Sequence, residues 1–152
     1  MKKIHTALYL TGLLTNVSTT VFSQAAKPTL NHIAVYVVSL KVSTDFYRHI
    51  IQLDTIPEPF HDGRHTWFSI GPLAHLHLIQ GAAAATVHDK NNHLCFRVAS
   101  VKDFITILDK NNIGYENWAG EKNTITKRVD AVQQIYFKDP DGYWIEINDA
   151  KD

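Results

Sequence analysis

The tripeptide Asn-His-apolar occurs twice, as Asn31-His32-Ile33 and Asn92-His93-Leu94, and each copy opens a strand-like run that leads into a helix-like run. Each copy also ends in a strand with a further possible metal ligand, Ala74-His75-Leu76-His77-Leu78-Ile79 in the first and Gly142-Tyr143-Trp144-Ile145-Glu146-Ile147-Asn148 in the second. A chain with this doubling is constrained to fold as two similar halves. Folded against each other, the halves can bring His32, His77, His93 and Glu146 to one point.

Alternation sets the faces. In residues 31–38, His32, Ala34 and Tyr36 share one side of a strand, and Ile33, Val35 and Val37 share the other. Residues 42–53 follow with Val42, Phe46, Ile50 and Leu53 at helical spacing, packing on the Ile33 side. Strands are expected over 66–70 and 75–80, the latter with His75, His77 and Ile79 on one face, and residues 81–91 form the connection between the halves. The order then repeats: a strand over 93–98, and a helix capped by Ser100 with Val101, Phe104, Ile105 and Leu108 as its apolar stripe. Gly114 stands where a left-handed residue is expected to end that helix. A strand at 134–137, the turn Asp139-Pro140-Asp141-Gly142 and a last strand bearing Trp144, Glu146 and Asn148 on one face complete the second half.

Residues 1–25 read as a secretory signal peptide. Lys2 and Lys3 form a basic start, Ala7 to Leu14 is an apolar stretch too short to span a bilayer, Ser23-Gln24-Ala25 is a small-x-small cleavage site, and the segment has no Asp or Glu. The mature chain is expected to be a single domain over 26–152, with pseudo-repeats at about 29–81 and 91–149, in the periplasm or secreted. Of 15 basic residues two leave with the peptide, so 13 face 15 acidic ones, a balance that offers no footing for nucleic acid. No second hydrophobic segment is long enough to cross a membrane. Cys95 is the only cysteine, which excludes an intrachain disulfide. Its place two residues after His93 puts it beside the site, although such a cysteine is more often a small buried apolar side chain.

A divalent metal needs several imidazoles or carboxylates converging from a rigid scaffold. A lone strand histidine is usually structural, but four candidates at matching places in two pseudo-repeats point to a metal. His75 is the rival to His77. Arg64, His65 and Arg128 are candidates for holding a substrate carboxylate or phosphate, with His61 and Lys127 beside them. Trp67, Trp118, Tyr136 and Trp144 are candidates for an aromatic wall.

The chain resembles the vicinal oxygen chelate superfamily, which contains glyoxalase I, fosfomycin-resistance transferases, extradiol dioxygenases and bleomycin-resistance proteins. The resemblance covers roughly residues 29–149. It rests on Leu30-Asn31-His32-Ile33-Ala34-Val35, on Phe46-Tyr47, and on Asp139-Pro140-Asp141-Gly142-Tyr143-Trp144-Ile145-Glu146. It implies an α+β fold of two βαβββ modules forming a cup-shaped mixed sheet around a divalent ion (Zn, Ni, Mn, Co or Fe(II)), with His32, His93 and Glu146 at the family's ligand positions. His77 departs from the Glu or Gln that glyoxalase I-like members generally place there. The implied function is a metal-dependent lyase or isomerase of glyoxalase I type on a small substrate with vicinal oxygens, with Glu146 and His77 as catalytic residues. The alternatives are an Fe(II) ring-cleaving dioxygenase, in which the fourth residue is free as an acid-base group, or a non-catalytic small-molecule-binding resistance protein. In this family the modules pair either within a chain or across a homodimer.

Overall fold

Apolar residues at alternate strand positions dictate sheets with one covered face, and a computed structural model, describing residues 27–151, has that architecture. The expected signal peptide, with its junction at Ala26, lies outside the described residues. The first half runs β1 (His32–Val37), α1 (Leu40–His49), β2 (Thr55–Ile56), β3 (His65–Ser69) and β4 (His75–Gln80). The second repeats it as β5 (His93–Arg97), α2 (Val101–Lys110), β6 (Thr126–Lys127), β7 (Gln133–Lys138) and β8 (Trp144–Asn148). Each half is a four-stranded mixed sheet, in the orders β1-β4-β3-β2 and β5-β8-β7-β6. In each, the first strand pairs in parallel with the last: His32 lies opposite His75, and His93 opposite Trp144. The α+β arrangement of two βαβββ modules is therefore as expected.

Both helices start at a serine whose hydroxyl accepts an orphan backbone N–H, from Val42 to Ser39 and from Asp103 to Ser100. Helix α1 begins two residues earlier than its apolar spacing suggests, because Ser39 sets the start. Helix α2 also ends differently from expectation. Asn112, at φ 54°, takes the left-handed position, and Gly114 does not. Asparagine tolerates that conformation because its short side chain can hydrogen-bond locally.

Val35, Val37, Leu76, Leu78 and Phe68 from the first sheet and Ile135, Phe137, Ile145 and Ile147 from the second are buried in one continuous core with Phe46, Tyr47, Phe104 and Leu108 of the helices. Each fully buried aliphatic side chain contributes about 1.5–3 kcal/mol. Phe46 of α1 meets Phe137 of β7 with ring centroids 6.3 Å apart, so the helix layer of one half packs on the other half.

The turn 139–142 keys into α1. Asp141 accepts from Ser43 Oγ (2.5 Å) and the Val38 N–H (2.7 Å), and Asp139 accepts from the Tyr47 hydroxyl (2.8 Å). All four side chains are buried. Burial pushes the Asp139 carboxyl above the usual carboxylate range despite these donors, and with the neighbouring Asp139 charge it raises the Tyr47 phenol well above its ordinary value. Gly142, at φ +93°, passes so close to the connecting segment that a Cβ there would lie 2.0 Å from the Thr86 carbonyl oxygen. Among the described residues no helix is long and apolar enough to cross a membrane.

Candidate metal centre

With the apolar side chains of both sheets committed to the shared core, the alternate residues of the same strands face away from it. On the first half these are His32, His75, His77, His65 and Trp67. On the second they are His93, Cys95, Glu146, Tyr136, Gln134 and Asn148.

In the second half His93 Nε2 stands 3.2 Å from Glu146 Oε2. His93 Nδ1 donates to the Lys90 carbonyl at 2.7 Å, so in the neutral ring Nε2 carries a lone pair facing a carboxylate oxygen. Two acceptors at that separation are bridged either by the imidazolium's own proton or by a metal ion, and two atoms that bind one zinc-like ion at about 2.0–2.2 Å stand about 3 Å apart. Glu146 is held firmly. Tyr136 Oη donates to Oε2 at 2.7 Å, Asn148 Nδ2 donates to Oε1 at 2.8 Å, and Gln134 Nε2 donates in turn to the Tyr136 hydroxyl at 2.5 Å. Desolvation works against the Glu146 charge, but these donors and the Cys95 thiol hold its pKa below the usual range. Cys95 is exposed rather than a buried apolar filler. Its Sγ lies 3.5 Å from Glu146 and 3.1 Å from Asn148, and partial desolvation of the sulfur followed by the Glu146 charge pushes the thiol up to about 12.

In the first half His32 Nδ1 donates to Asn31 Oδ1 at 2.8 Å, which leaves Nε2 free to bind. His77 is sandwiched, with its ring centroid 4.3 Å from His32 at 7° and 3.9 Å from Trp67 at 4°. Its Nε2 is buried without a partner. Desolvation, and then the charges of His32, His75 and His65, lower its pKa and keep the ring neutral. His75 is farther from this stack, its centroid 6.0 Å from that of His77.

The four residues thus come together as two pairs, His32 with His77 and His93 with Glu146. Among the described residues of one chain no three His, Cys, Asp or Glu side chains are grouped to hold an ion. The donor chemistry nevertheless fits a divalent metal. Two histidines have their Nδ1 atoms fixed by acceptors, as ligating imidazoles usually do, and a held carboxylate faces one of them.

Of the substrate-binding candidates, Trp67 stacks on His77 and His65 lies on the same face, its Nδ1 donating to Asp62 at 2.8 Å. Phe60, which the sequence did not flag, covers both, its centroid 4.7 Å from His65 and 5.9 Å from Trp67. Arg64 instead ties down the Gln80 carbonyl at 3.0 Å, and Arg128 pairs with Asp130 at 2.7 Å. Trp118 sits against the Tyr136 ring, 5.6 Å between centroids. The role of Tyr136 as the donor that holds Glu146 was visible in the sequence only as aromatic bulk.

The model of the Glyoxalase/Bleomycin resistance protein/Dioxygenase superfamily matches residues 29–147. The chain belongs to this superfamily. Solved relatives share its fold. A glyoxalase/dioxygenase from Nostoc punctiforme is 22% identical with TM-score 0.67, over 88% of this chain and 100% of that one. Lactoylglutathione lyase from Agrobacterium tumefaciens is 18% identical with TM-score 0.61, over 82% and 96%. The fosfomycin resistance protein FosX from Listeria monocytogenes is 19% identical with TM-score 0.65, over 83% and 96%. No curated protein matches the sequence. Members of this superfamily are commonly enzymes on small molecules that use divalent metals, and at these identities the solved relatives establish fold alone.

Proposed function

We propose that this superfamily member is a metal-dependent enzyme acting outside the cytoplasm on a small substrate with vicinal oxygens, of the Fe(II) ring-cleaving dioxygenase class. The observation that carries this reading is the stacking of His32 on His77. An imidazole nitrogen binds a metal in its ring plane, and van der Waals contact keeps stacked planes at least about 3.5 Å apart. Two rings stacked this way therefore cannot both turn a lone pair toward one ion. That leaves His32, His93 and Glu146 as ligands, the two-histidine, one-carboxylate set suited to non-haem Fe(II), with His77 beside it.

The residues take distinct roles. His32, His93 and Glu146 would hold the ion, which when bound would supply the site that engages a catechol and activates dioxygen. His77, neutral because it is desolvated, accepts the proton that one substrate hydroxyl gives up. Tyr136 and Asn148 keep Glu146 charged and oriented. Trp67, Phe60 and Trp118 offer flat apolar surfaces to an aromatic ring. Because His32 is not grouped with His93 and Glu146 among the described residues of one chain, the working site would be that of a homodimer, His32 and His77 of one copy facing His93 and Glu146 of the other.

One observation favours the isomerase reading of glyoxalase I type. His77 Nε2, buried and unpartnered, is free to serve as a fourth ligand if the ring turns out of the stack. The test is anaerobic reconstitution of residues 26–152 with Fe(II), followed by oxygen uptake with a panel of catechols and, in parallel, turnover of a methylglyoxal–thiol hemithioacetal. Oxygen uptake that depends on Fe(II) supports the dioxygenase. Hemithioacetal turnover with Ni(II) or Zn(II) and no oxygen uptake overturns it in favour of the isomerase.

A further inference from the structure

Lys90, at the end of the connection between the halves, is linked to both members of the His93–Glu146 pair, to His93 directly and to Glu146 through Tyr136. Its side chain is largely buried, with 17% of it exposed. The ammonium binds the Glu116 carboxylate and the carbonyl oxygens of Asn117 at 3.2 Å and Trp118 at 3.3 Å. It also lies over two aromatic rings, 4.8 Å from the Trp144 centroid and 5.6 Å from that of Tyr136. The Lys90 carbonyl is the acceptor for His93 Nδ1. The Tyr136 ring under the ammonium belongs to the hydroxyl that holds Glu146. Side chain and carbonyl of one residue thus reach the two neighbouring ligands by separate routes.

A carbonyl orients an imidazole only as well as it is itself held. Lys90 stands in the turn closed by the Asn92 N–H on the Asp89 carbonyl at 2.9 Å, with Asp89 Oδ1 accepting from the Asn91 N–H at 2.8 Å. The backbone contacts within this turn are local, and just before it the His88 carbonyl accepts from the Trp144 indole N–H at 3.0 Å. The lysine side chain is what fixes it to the loop at 116–118, across the face of β7 and β8. We propose that Lys90 is the positioning residue of the half-site: its anchored carbonyl sets the Nδ1–H tautomer of His93, so that Nε2 faces Glu146 as a free donor. The tautomer claim stands on these contacts, and its consequence for metal rests on the reading of His93 and Glu146 as ligands.

Two measurements separate these layers. Long-range ¹H–¹⁵N correlation of the ring nitrogens in metal-free protein at pH 8, with His93 assigned by its loss in His93→Ala, reads the tautomer directly. Co(II) titration reads the affinity. The expected results are a single Nδ1–H form of His93 in the wild type, a mixture of tautomers in Lys90→Met, and Co(II) binding weakened about 10- to 100-fold. Lys90→Arg, which keeps the charge and its donors, restores both. If Lys90→Met does not fold, Glu116→Gln loosens the same anchor and is read in its place, with a smaller shift in the same direction. A His93 ring unchanged in a folded variant overturns the proposal. If the wild type binds no Co(II) while the tautomer still answers to Lys90, the metal reading falls and the positioning role stands.

Discussion

His32 lies flat against His77, their ring centroids 4.3 Å apart and their planes 7° apart, in a stack that Trp67 continues on the far side of His77. Parallel rings cannot point their lone pairs at one ion, so two histidines that alternation places on one face are chemically unequal. One keeps a nitrogen free to bind, and the other is buried, neutral and beside the site.

That inequality has a direct expression in metal content. His32→Ala, His93→Ala and Glu146→Ala should each lose Fe(II) on desalting. His77→Ala should retain near-stoichiometric iron while kcat falls about 10²- to 10⁴-fold, the usual worth of a positioned acid-base group. Metal analysis beside steady-state oxygen uptake checks this, and loss of iron from His77→Ala would restore the four-ligand site.

A shared site predicts complementation. Homodimers of His32→Ala and of Glu146→Ala should both be inactive, but exchanging subunits between them produces mixed dimers in which one site carries both lesions and the other carries neither. Activity should therefore return on mixing, at up to about a quarter of the wild-type value when exchange is complete and random. No recovery after verified exchange would place the whole site within a single chain.

The buried Asp139 makes stability depend on pH in a particular sense. Its folded pKa is raised above the ordinary 3.8, chiefly by burial. The folded state therefore holds a proton that the unfolded chain has released. The stabilisation from this residue is full below its unfolded value and is lost as pH rises through the folded one. Asp139→Asn removes the titration. Urea midpoints of variant and wild type, measured from pH 3.5 to 8, should diverge upward in favour of the variant as pH increases, and parallel curves would contradict the assignment.

Two glycines with positive φ should respond very differently to alanine. At Gly63 (φ +71°) a Cβ meets nothing within 4 Å, so the substitution costs only the backbone conformation, about 1 kcal/mol. At Gly142 (φ +93°) it meets the Thr86 carbonyl at 2.0 Å, and the connection between the halves must move. A loss of about 2–4 kcal/mol is expected, read by urea denaturation with the Gly63 variant as control.

How much of this was legible in the sequence follows from the range of each interaction. Period-2 alternation placed His32, His77, His93 and Glu146 on their faces because a single buried face fixes register, and Ser100 announced α2 because a cap is local. The strands Thr55–Ile56 and Thr126–Lys127 are two residues long and carry no period of their own. Gly114 misled because Asn112 tolerates the left-handed turn nearly as well. Phe60, Lys90 and the hydroxyl of Tyr136 stayed hidden because their partners lie on other elements, reached through an edge-to-face ring contact, a salt bridge and a cross-strand hydrogen bond that no local pattern encodes. The grouping into pairs depends on how the halves pack, which alternation within one strand does not reach.

The turn between the last two strands gives the doubling a direction. Hydroxyls of Ser43 and Tyr47, from the first copy, are answered by carboxylates of Asp141 and Asp139, from the second. Split at the connecting segment, the first fragment would keep two donors without acceptors and the second two acids without donors. The two copies are thus not interchangeable in role: one brings the donors and the other the acceptors that lock them together.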